Sequence, residues 1–126
     1  MLKARDIMSM SVQTVTRRTL VHDFARLLAD RHINGALVVT DDGAVIGIAT
    51  EADLLTKRGS MVGEIMTSGI ISAREETPVH EIAQLLGRLQ IRQAPVMRGP
   101  RLIGMVSRGD IVRAIARAAQ PEAVLG

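Results

Sequence analysis

One seven-residue pattern occurs twice in the chain, as GIATEAD at residues 47–53 and as GMVSRGD at residues 104–110. Both copies contain a glycine, two apolar residues, a hydroxyl residue, two variable residues and an aspartate. An apolar run ends at each hydroxyl residue and helix-forming residues follow it, which predicts a strand that passes directly into a helix. Because the pattern is duplicated, it points to two copies of one structural unit.

The sequence around the pattern repeats as well. A shift of 58 residues aligns residues 19–23 with residues 77–81, and a shift of 57 aligns residues 45–50 with residues 102–107. The matches fall mainly on apolar positions and turn glycines, as expected when two copies keep one fold. We therefore predict two repeats and a frayed tail, with the following boundaries: repeat 1 at 1–59, repeat 2 at 60–118 and the tail at 119–126.

Each repeat has the pattern of a strand, a helix, a two-stranded hairpin and a second helix. Asp42-Gly43 between two apolar runs is a strong hairpin signal, and Thr19 and Thr77 are predicted as N-caps of the first helices, with Pro78 at the first helical position. The predicted elements are opening segments at 4–8 and 62–66, extended stretches at 12–16 and 70–73, first helices from about 21 and 79, hairpin strands at 36–40, 45–49, 94–97 and 102–106, and last helices at 51–57 and 108–118.

Composition narrows the possible functions. The 126 residues include no cysteine and a single aromatic residue, Phe24, which disfavours thiolate sites and recognition of single-stranded nucleic acid by stacking. The net charge is +3 and the basic residues are scattered along the chain. This pattern disfavours nucleic-acid binding. No apolar run is long enough for a membrane helix and no signal peptide is visible, which predicts a cytoplasmic protein without a membrane partner.

The sequence offers no convergent set of catalytic or metal-binding residues. His22 and His80 occupy equivalent places at the starts of the two first helices, but a metal site needs several ligands that converge. No nucleophile elbow or phosphate-binding loop is present. We therefore expect no enzyme activity, no metal and no required cofactor.

The duplicated pattern has two interpretations. In the first, Thr50 and Ser107 cap helices, and Asp53 and Asp110 complete capping boxes. In the second, the same helix N-termini present N–H groups to an anion, and each carboxylate accepts the hydroxyls of a ribose. Both can hold in turn, with the cap present before ligand binds.

The duplicated βαββα unit, with G-h-h-S/T-x-x-D at the same place in each copy, resembles a tandem pair of cystathionine-β-synthase (CBS) domains, or Bateman module. Ile7-Met8 and Ile65-Met66 open the two copies at matching places. The resemblance covers residues 4–118. It implies an α+β fold with two CBS repeats packed around a pseudo-twofold axis into one module, an adenosine ligand between the copies, and a homodimer.

The resemblance also implies which residues bind. In the second copy the ribose-binding acid falls on Asp110 and the hydroxyl contact on Ser107, while Arg92 or Arg108 is expected to contact phosphate. The first copy lacks the matching arginine and proline, so we favour the second-copy site. The predicted ligand-binding residues are Ser107, Asp110, Arg92, Arg108, Gln93, Ala94, Pro95 and Ile70 for the second copy, and Thr50, Asp53, Asn34, Gly35, Ala36 and Val12 for the first.

These observations predict a stand-alone regulatory module in signal transduction. It would sense AMP, ADP, ATP, NAD or S-adenosylmethionine and pass a conformational change to a partner protein. The alternative is a dimeric interaction scaffold with empty clefts, in which the duplicated pattern only caps helices. Nucleic-acid binding is a third and less favoured interpretation.

Overall fold

A computed structural model of the chain describes residues 1–120 and 122–125. The chain forms two compact units: unit 1 combines Met1–Ser11 with Ile71–Gly126, and unit 2 is Val12–Ile70. In chain order the elements are α1 (Ala4–Ile7), β1 (Thr14–Val15), α2 (Val21–Arg31), β2 (Gly35–Val39), β3 (Val45–Thr50), α3 (Glu51–Thr56), α4 (Val62–Ile65), β4 (Thr67–Ser68), β5 (Ala73–Arg74), α5 (Val79–Leu89), β6 (Gln93–Arg98), β7 (Arg101–Ser107), α6 (Arg108–Arg117) and α7 (Glu122–Leu125).

Unit 2 is built on a four-stranded sheet with the order β1-β2-β3-β4. Strands β1 and β2 are parallel, and the other neighbours are antiparallel. The apolar face of α2 buries Phe24 and Leu28 against this sheet, where Val38 and Ala49 are fully buried. Burial of a side chain of this size stabilises a fold by about 1.5–3 kcal/mol, so α2 and the sheet hold each other in place.

Unit 1 repeats the arrangement with a three-stranded sheet in the order β5-β6-β7. Its core includes Ile82 and Leu86 from α5 and Val96 and Val106 from the sheet. Ser9 lies beside β7 and forms an antiparallel bridge to Met105 of that strand, with paired N–H to carbonyl distances of 2.8 and 2.9 Å. Ser9 thereby takes the place beside β7 that β4 takes beside β3 in unit 2.

The two compact units do not coincide with the two sequence repeats, because each opening helix belongs to the unit formed by the other repeat. Helix α1 packs in unit 1 although it opens the first repeat, and its Ala4 is fully buried there. Helix α4 packs in unit 2 although it opens the second repeat, and its Val62 is fully buried in that core. The sequence boundaries 1–59 and 60–118 stay predictions, while each compact unit includes the opening segment of the other repeat.

The predicted helices and hairpins are present, and the mixed helix and sheet content confirms the α+β class. Two capping predictions were wrong. Helices α2 and α5 have Leu20 and Pro78 at their N-caps without side-chain bonds. The hydroxyls of Thr19 and Thr77 instead accept from the N–H groups of residues 16 and 74, at 3.1 and 2.9 Å, because each threonine closes the turn between strand and helix.

The expectation of a frayed tail was also wrong over residues 122–125. These residues form α7, and Val124 is 4% exposed within the core of unit 1. The buried Val124 side chain contributes apolar contact that helps to hold this short helix. Pro121 and Gly126, which belong to the predicted tail, lie outside the described residues.

Candidate functional site

The duplicated pattern lies where the sheet of each unit passes into a helix. Thr50 ends β3 and is the N-cap of α3, and Ser107 ends β7 and is the N-cap of α6. Across the hairpins, Thr50 pairs with Gly35 and Ser107 pairs with Gln93. Each hydroxyl residue therefore lies beside the start of the neighbouring strand, as the resemblance implies for a binding segment.

In unit 2 the aspartate of the pattern is fully engaged. The Asp53 Oδ2 atom accepts from the Thr50 N–H at 2.9 Å and from the Thr50 hydroxyl at 3.1 Å, and the Asp53 N–H donates to that hydroxyl at 3.3 Å. The other carboxylate oxygen, Oδ1, is 2.9 Å from the Lys57 ammonium. The same ammonium donates to the Ile65 carbonyl at 3.2 Å, so Lys57 is anchored beside the carboxylate.

Unit 1 has the same capping box with a more exchangeable cation. The Asp110 Oδ2 atom accepts from the Ser107 N–H at 2.8 Å, and the Asp110 N–H donates to the Ser107 hydroxyl at 3.1 Å. The Asp110 Oδ1 atom is 2.7 Å from an Arg113 guanidinium nitrogen. The Arg113 side chain is 59% exposed, and the described residues give its guanidinium no further hydrogen bond, so this cation can move away at little cost.

These contacts confirm the capping interpretation of both junctions. They are also compatible with the ligand interpretation, because one carboxylate oxygen of each aspartate is held only by a cation, which is anchored at Asp53 and readily displaced at Asp110. Each carboxylate can accept two hydrogen bonds from vicinal hydroxyls once that cation moves. Sequence reasoning missed Lys57 and Arg113, although their spacing of four and three residues from the aspartates on a helix is the signal that predicts such pairs.

The glycine of the pattern has a packing role. A Cβ atom on Gly47 would lie 2.6 Å from the carbonyl oxygen of Thr67 in β4, and one on Gly104 would lie 2.7 Å from the Sδ atom of Met8. These glycines therefore let the last segment of each sheet approach closely. The glycine at this place is required by the fold and needs no ligand to explain it.

The segment before β6 lies against the first turn of α6. The Arg108 N–H donates to the Arg92 carbonyl at 2.9 Å, and the equivalent bond in unit 2 joins the Glu51 N–H to the Asn34 carbonyl at 3.0 Å. The Arg92 side chain is exposed, whereas Ala94 and Pro95 are buried. Unit 1 thus brings together Ser107, Asp110, Arg92, Gln93, Ala94, Pro95 and Arg108, and unit 2 brings together Thr50, Asp53, Asn34, Gly35 and Ala36.

The second predicted phosphate contact, Arg108, has a structural partner. Its Nε atom donates to the Ile91 carbonyl at 2.9 Å, and a terminal nitrogen donates to the Leu86 carbonyl at 3.3 Å. Arg108 therefore caps the C-terminal end of α5, where a cation is favourable. These bonds favour Arg92 over Arg108 as the group that can reach an added anion.

The two predicted apolar contacts, Val12 and Ile70, are half-buried and both belong to unit 2. The Leu37 N–H donates to the Gln13 carbonyl at 3.3 Å, which places the neighbouring Val12 beside the start of β2. Ile70 follows β4 at the end of the unit. Neither side chain has a contact that assigns it a role.

The described residues offer neither a metal site nor a membrane span. Among residues 1–120 and 122–125, no group of three or more histidine, cysteine, aspartate or glutamate residues could hold a metal ion. Over the same part of the chain, every helix is too short or too polar to cross a membrane.

The comparisons with known proteins agree with the fold. CBSX3, a mitochondrial CBS domain-containing protein of Arabidopsis thaliana, is 38% identical over 108 residues, which are 75% of this chain and 52% of CBSX3; this chain thus spans about half of that protein. Relatives that are named as enzymes are matched over less than a quarter of their length, so the match is to one part of a larger protein.

Two solved structures match nearly the whole chain. The crystal structure of CBSX2 in complex with AMP has a TM-score of 0.88 and 27% identity, covering 93% of this chain and 98% of the chain in that structure. The CBS domain pair of protein MJ0100, in complex with 5′-methylthioadenosine and S-adenosyl-L-methionine, has a TM-score of 0.84 and 28% identity, covering 91% and 96%. The family model of the CBS domain matches residues 4–59 and again residues 62–117. The chain therefore belongs to the CBS domain family and carries two CBS domains.

Proposed function

We propose that this CBS domain pair is a regulatory module that binds an adenosine-containing ligand at the Ser107–Asp110 junction. The observation that carries the proposal is the state of Asp110, whose Oδ1 atom is held by the exposed Arg113 alone among the described residues. Its Oδ2 atom is fixed on the helix N-terminus, so the carboxylate is already oriented. The adenosine ligands of CBSX2 and MJ0100 support this class of ligand.

In the proposed complex the ribose hydroxyls replace Arg113 on Asp110. The Ser107 hydroxyl and the Arg92 guanidinium contact the phosphate or its equivalent, because a guanidinium makes charge-assisted bonds to phosphate. Arg108 is kept as a secondary contact, since its guanidinium retains donors beyond the two bonds to α5. The segment Gln93–Pro95 lines the ligand.

A second site at the Thr50–Asp53 junction is proposed to bind more weakly. Asp53 also accepts from the Thr50 hydroxyl, and its cation Lys57 is anchored on the Ile65 carbonyl, so a ligand has more to displace there. Asn34 stands at the position of Arg92 and brings no positive charge for phosphate. The remaining residues proposed for this site are Gly35, Ala36 and Val12.

Ligand binding becomes a signal through the first turn of α6. Displacement of Arg113 from Asp110 changes the charge and the exposed surface of this helix, and a partner protein that binds the two forms unequally reads the change. The proposed role is regulatory, with AMP, ADP, ATP, NAD or S-adenosylmethionine as ligand and no cofactor. We place this role in the cytoplasm, which cell fractionation can test.

A homodimer is proposed as the assembly. Leu55 on α3 and Val112 on α6 occupy equivalent positions of the two repeats, and they are 84% and 62% exposed. Both repeats thus leave an apolar side chain in water at the same place, which supports these two places as parts of the proposed contact surface. Leu55→Asp and Val112→Asp should shift the protein from dimer to monomer in analytical ultracentrifugation, whereas Leu89→Asp, at an apolar residue that is 45% exposed on α5, should not.

Isothermal titration calorimetry with AMP, ADP, ATP, NAD and S-adenosylmethionine tests the binding proposal. We expect at least one ligand to bind and to raise the melting temperature, since a ligand that binds only the native state stabilises it. Asp110→Asn keeps the cap but loses the charge, and it should weaken that ligand by about 10-fold or more. Asp53→Asn is the matched control and should have the smaller effect. No heat and no thermal shift with any ligand would instead support the dimeric scaffold.

A further inference from the structure

A cavity lies in unit 2 at the end of the sheet opposite to the duplicated pattern. It has a volume of about 270 Å³ and lies between the turn after β1 and the β2–β3 hairpin, where its walls include Arg17, Val39 and Ile46. Val39 pairs with Val45 at the hairpin end of β2, and Gly35 pairs with Thr50 at the other end. Four residue steps of strand separate the two ends by about 13 Å, so this cavity is distinct from the Thr50–Asp53 junction.

The repeat shows what the same place holds in unit 1. The Arg98 guanidinium there spans from β6 to the turn after β5 and binds the Glu75 carboxylate through two bonds of 3.0 and 2.8 Å. The equivalent residues in unit 2 are Thr40 in place of Arg98 and Arg17 in place of Glu75. A short side chain therefore replaces the one that bridges this gap in unit 1, and a cation replaces its carboxylate.

This exchange leaves the cavity with a positive charge, that of Arg17, which forms no ion pair among the described residues. Arg18 forms an ion pair of 3.3 Å with Asp41, and both side chains are about 80% exposed. The Thr40 hydroxyl is committed to its own turn, where it donates to Asp42 and accepts from the Ala44 N–H. Within the described residues no hydrogen bond or ion pair involves the Arg17 guanidinium.

We propose that this cavity binds a small organic carboxylate, whose acid group meets Arg17 and whose apolar body lies against Val39 and Ile46. The ligand carboxylate pairs with Arg17 as the Glu75 carboxylate pairs with Arg98 in unit 1, because a guanidinium pairs most specifically with a planar carboxylate or phosphate. The apolar walls select a carboxylate with a hydrocarbon body over inorganic phosphate. The volume is at the small end of the range for ligand sites, which suits a compact acid.

Two-dimensional ¹H–¹⁵N NMR of the full chain tests this site with sodium benzoate as probe. Two control compounds are compared with benzoate. Benzyl alcohol keeps the aromatic ring but has no charge, and inorganic phosphate is an anion without an apolar body. We expect benzoate to shift the amide signals of residues 16–18 and 39–41 in a saturable way, with a dissociation constant in the millimolar range. We expect the two matched compounds to shift them less.

Substitutions then test the role of Arg17. Arg17→Gln should weaken benzoate about 5-fold, the effect of one surface ion pair, while Arg88→Gln, at an exposed arginine of α5, should leave it unchanged. The double variant Arg17→Glu with Thr40→Arg rebuilds the unit 1 pair and should abolish benzoate binding. If the double variant does not fold, Arg17→Gln decides the outcome.

Three results would overturn the proposal. One is the absence of a saturable shift at these amides up to about 20 mM benzoate, a concentration well above a dissociation constant of about 1 mM. Another is equal binding of benzyl alcohol, which would reduce the cavity to an apolar crevice. The third is unchanged benzoate affinity in Arg17→Gln.

Discussion

Replacing Gly47 with alanine tests the packing role that the structure gives to the glycine of the duplicated pattern. The new Cβ atom would lie 2.6 Å from the Thr67 carbonyl oxygen, a backbone atom that moves only if β4 moves away from β3. Two residue pairs join these strands, Gly47 with Ser68 and Ile48 with Thr67. Loss of about two backbone hydrogen bonds costs about 2 kcal/mol. The lower unfolded-state entropy of alanine offsets about 0.4–1 kcal/mol of that cost.

The expected net loss for Gly47→Ala is therefore about 1–2 kcal/mol in the free energy of unfolding, measured by urea denaturation. Gly104→Ala should cost less, because its nearest atom is the flexible Met8 Sδ at 2.7 Å and the nearest backbone atom, the Ser9 oxygen, is 3.0 Å away. Gly87 in α5 is the control, since no atom of the described residues lies within 4 Å of its added Cβ; Gly87→Ala should stabilise the protein by about 0.5–1 kcal/mol. Wild-type stability in Gly47→Ala would show that the Thr67 carbonyl does not require a glycine at residue 47. A larger loss in Gly104→Ala would show that the Met8 side chain does not move aside for the new Cβ atom.

Two further predictions concern charges. Arg113→Gln removes the cation that competes for Asp110 and should tighten the adenosine ligand by up to about 5-fold in calorimetry; a weaker complex would instead show that Arg113 itself holds the ligand. The hydrogen bonds from Arg98, helped by the charge of Arg5, hold the pKa of Glu75 below its ordinary range, and the hydrogen bond from Lys3, helped by the charge of Arg5, does the same for the pKa of Glu76. These pairs therefore stabilise unit 1 above the range in which free glutamate titrates, and the stabilisation is lost as pH falls through the lowered pKa values. Glu76→Gln should therefore flatten the acid limb of a stability–pH curve measured by urea denaturation, and an unchanged limb would show that the Glu76 pairs contribute nothing.

The helices and hairpins could be predicted because their signals are local. The apolar face of α2 repeats with helical spacing around Phe24 and Leu28, and Asp42-Gly43 marks the hairpin turn. The duplicated pattern supplied the junctions at Thr50 and Ser107, since a hydroxyl residue followed three positions later by an acid is a local capping signal.

The missed features depend on contacts between distant parts of the chain. The placement of α1 in unit 1 rests on the burial of Ala4, and no periodic pattern in four residues can predict it. Strand β4 and the bridge at Ser9 involve one or two residues each, which is too short for alternation to be visible. Helix α7 has four residues, which is likewise too short for a periodic apolar pattern that would predict the burial of Val124.

The pairing of Asp110 with the ribose is tested most directly by a thermodynamic cycle. Calorimetry would compare AMP with its 2′-deoxy and 3′-deoxy forms on the wild-type protein and on Asp110→Asn. We expect the loss of a hydroxyl to weaken binding to the wild-type protein by about 10-fold and to have little effect on Asp110→Asn, because the partner of that hydroxyl is already lost. Equal losses on both proteins would show that the carboxylate of Asp110 does not hold the sugar.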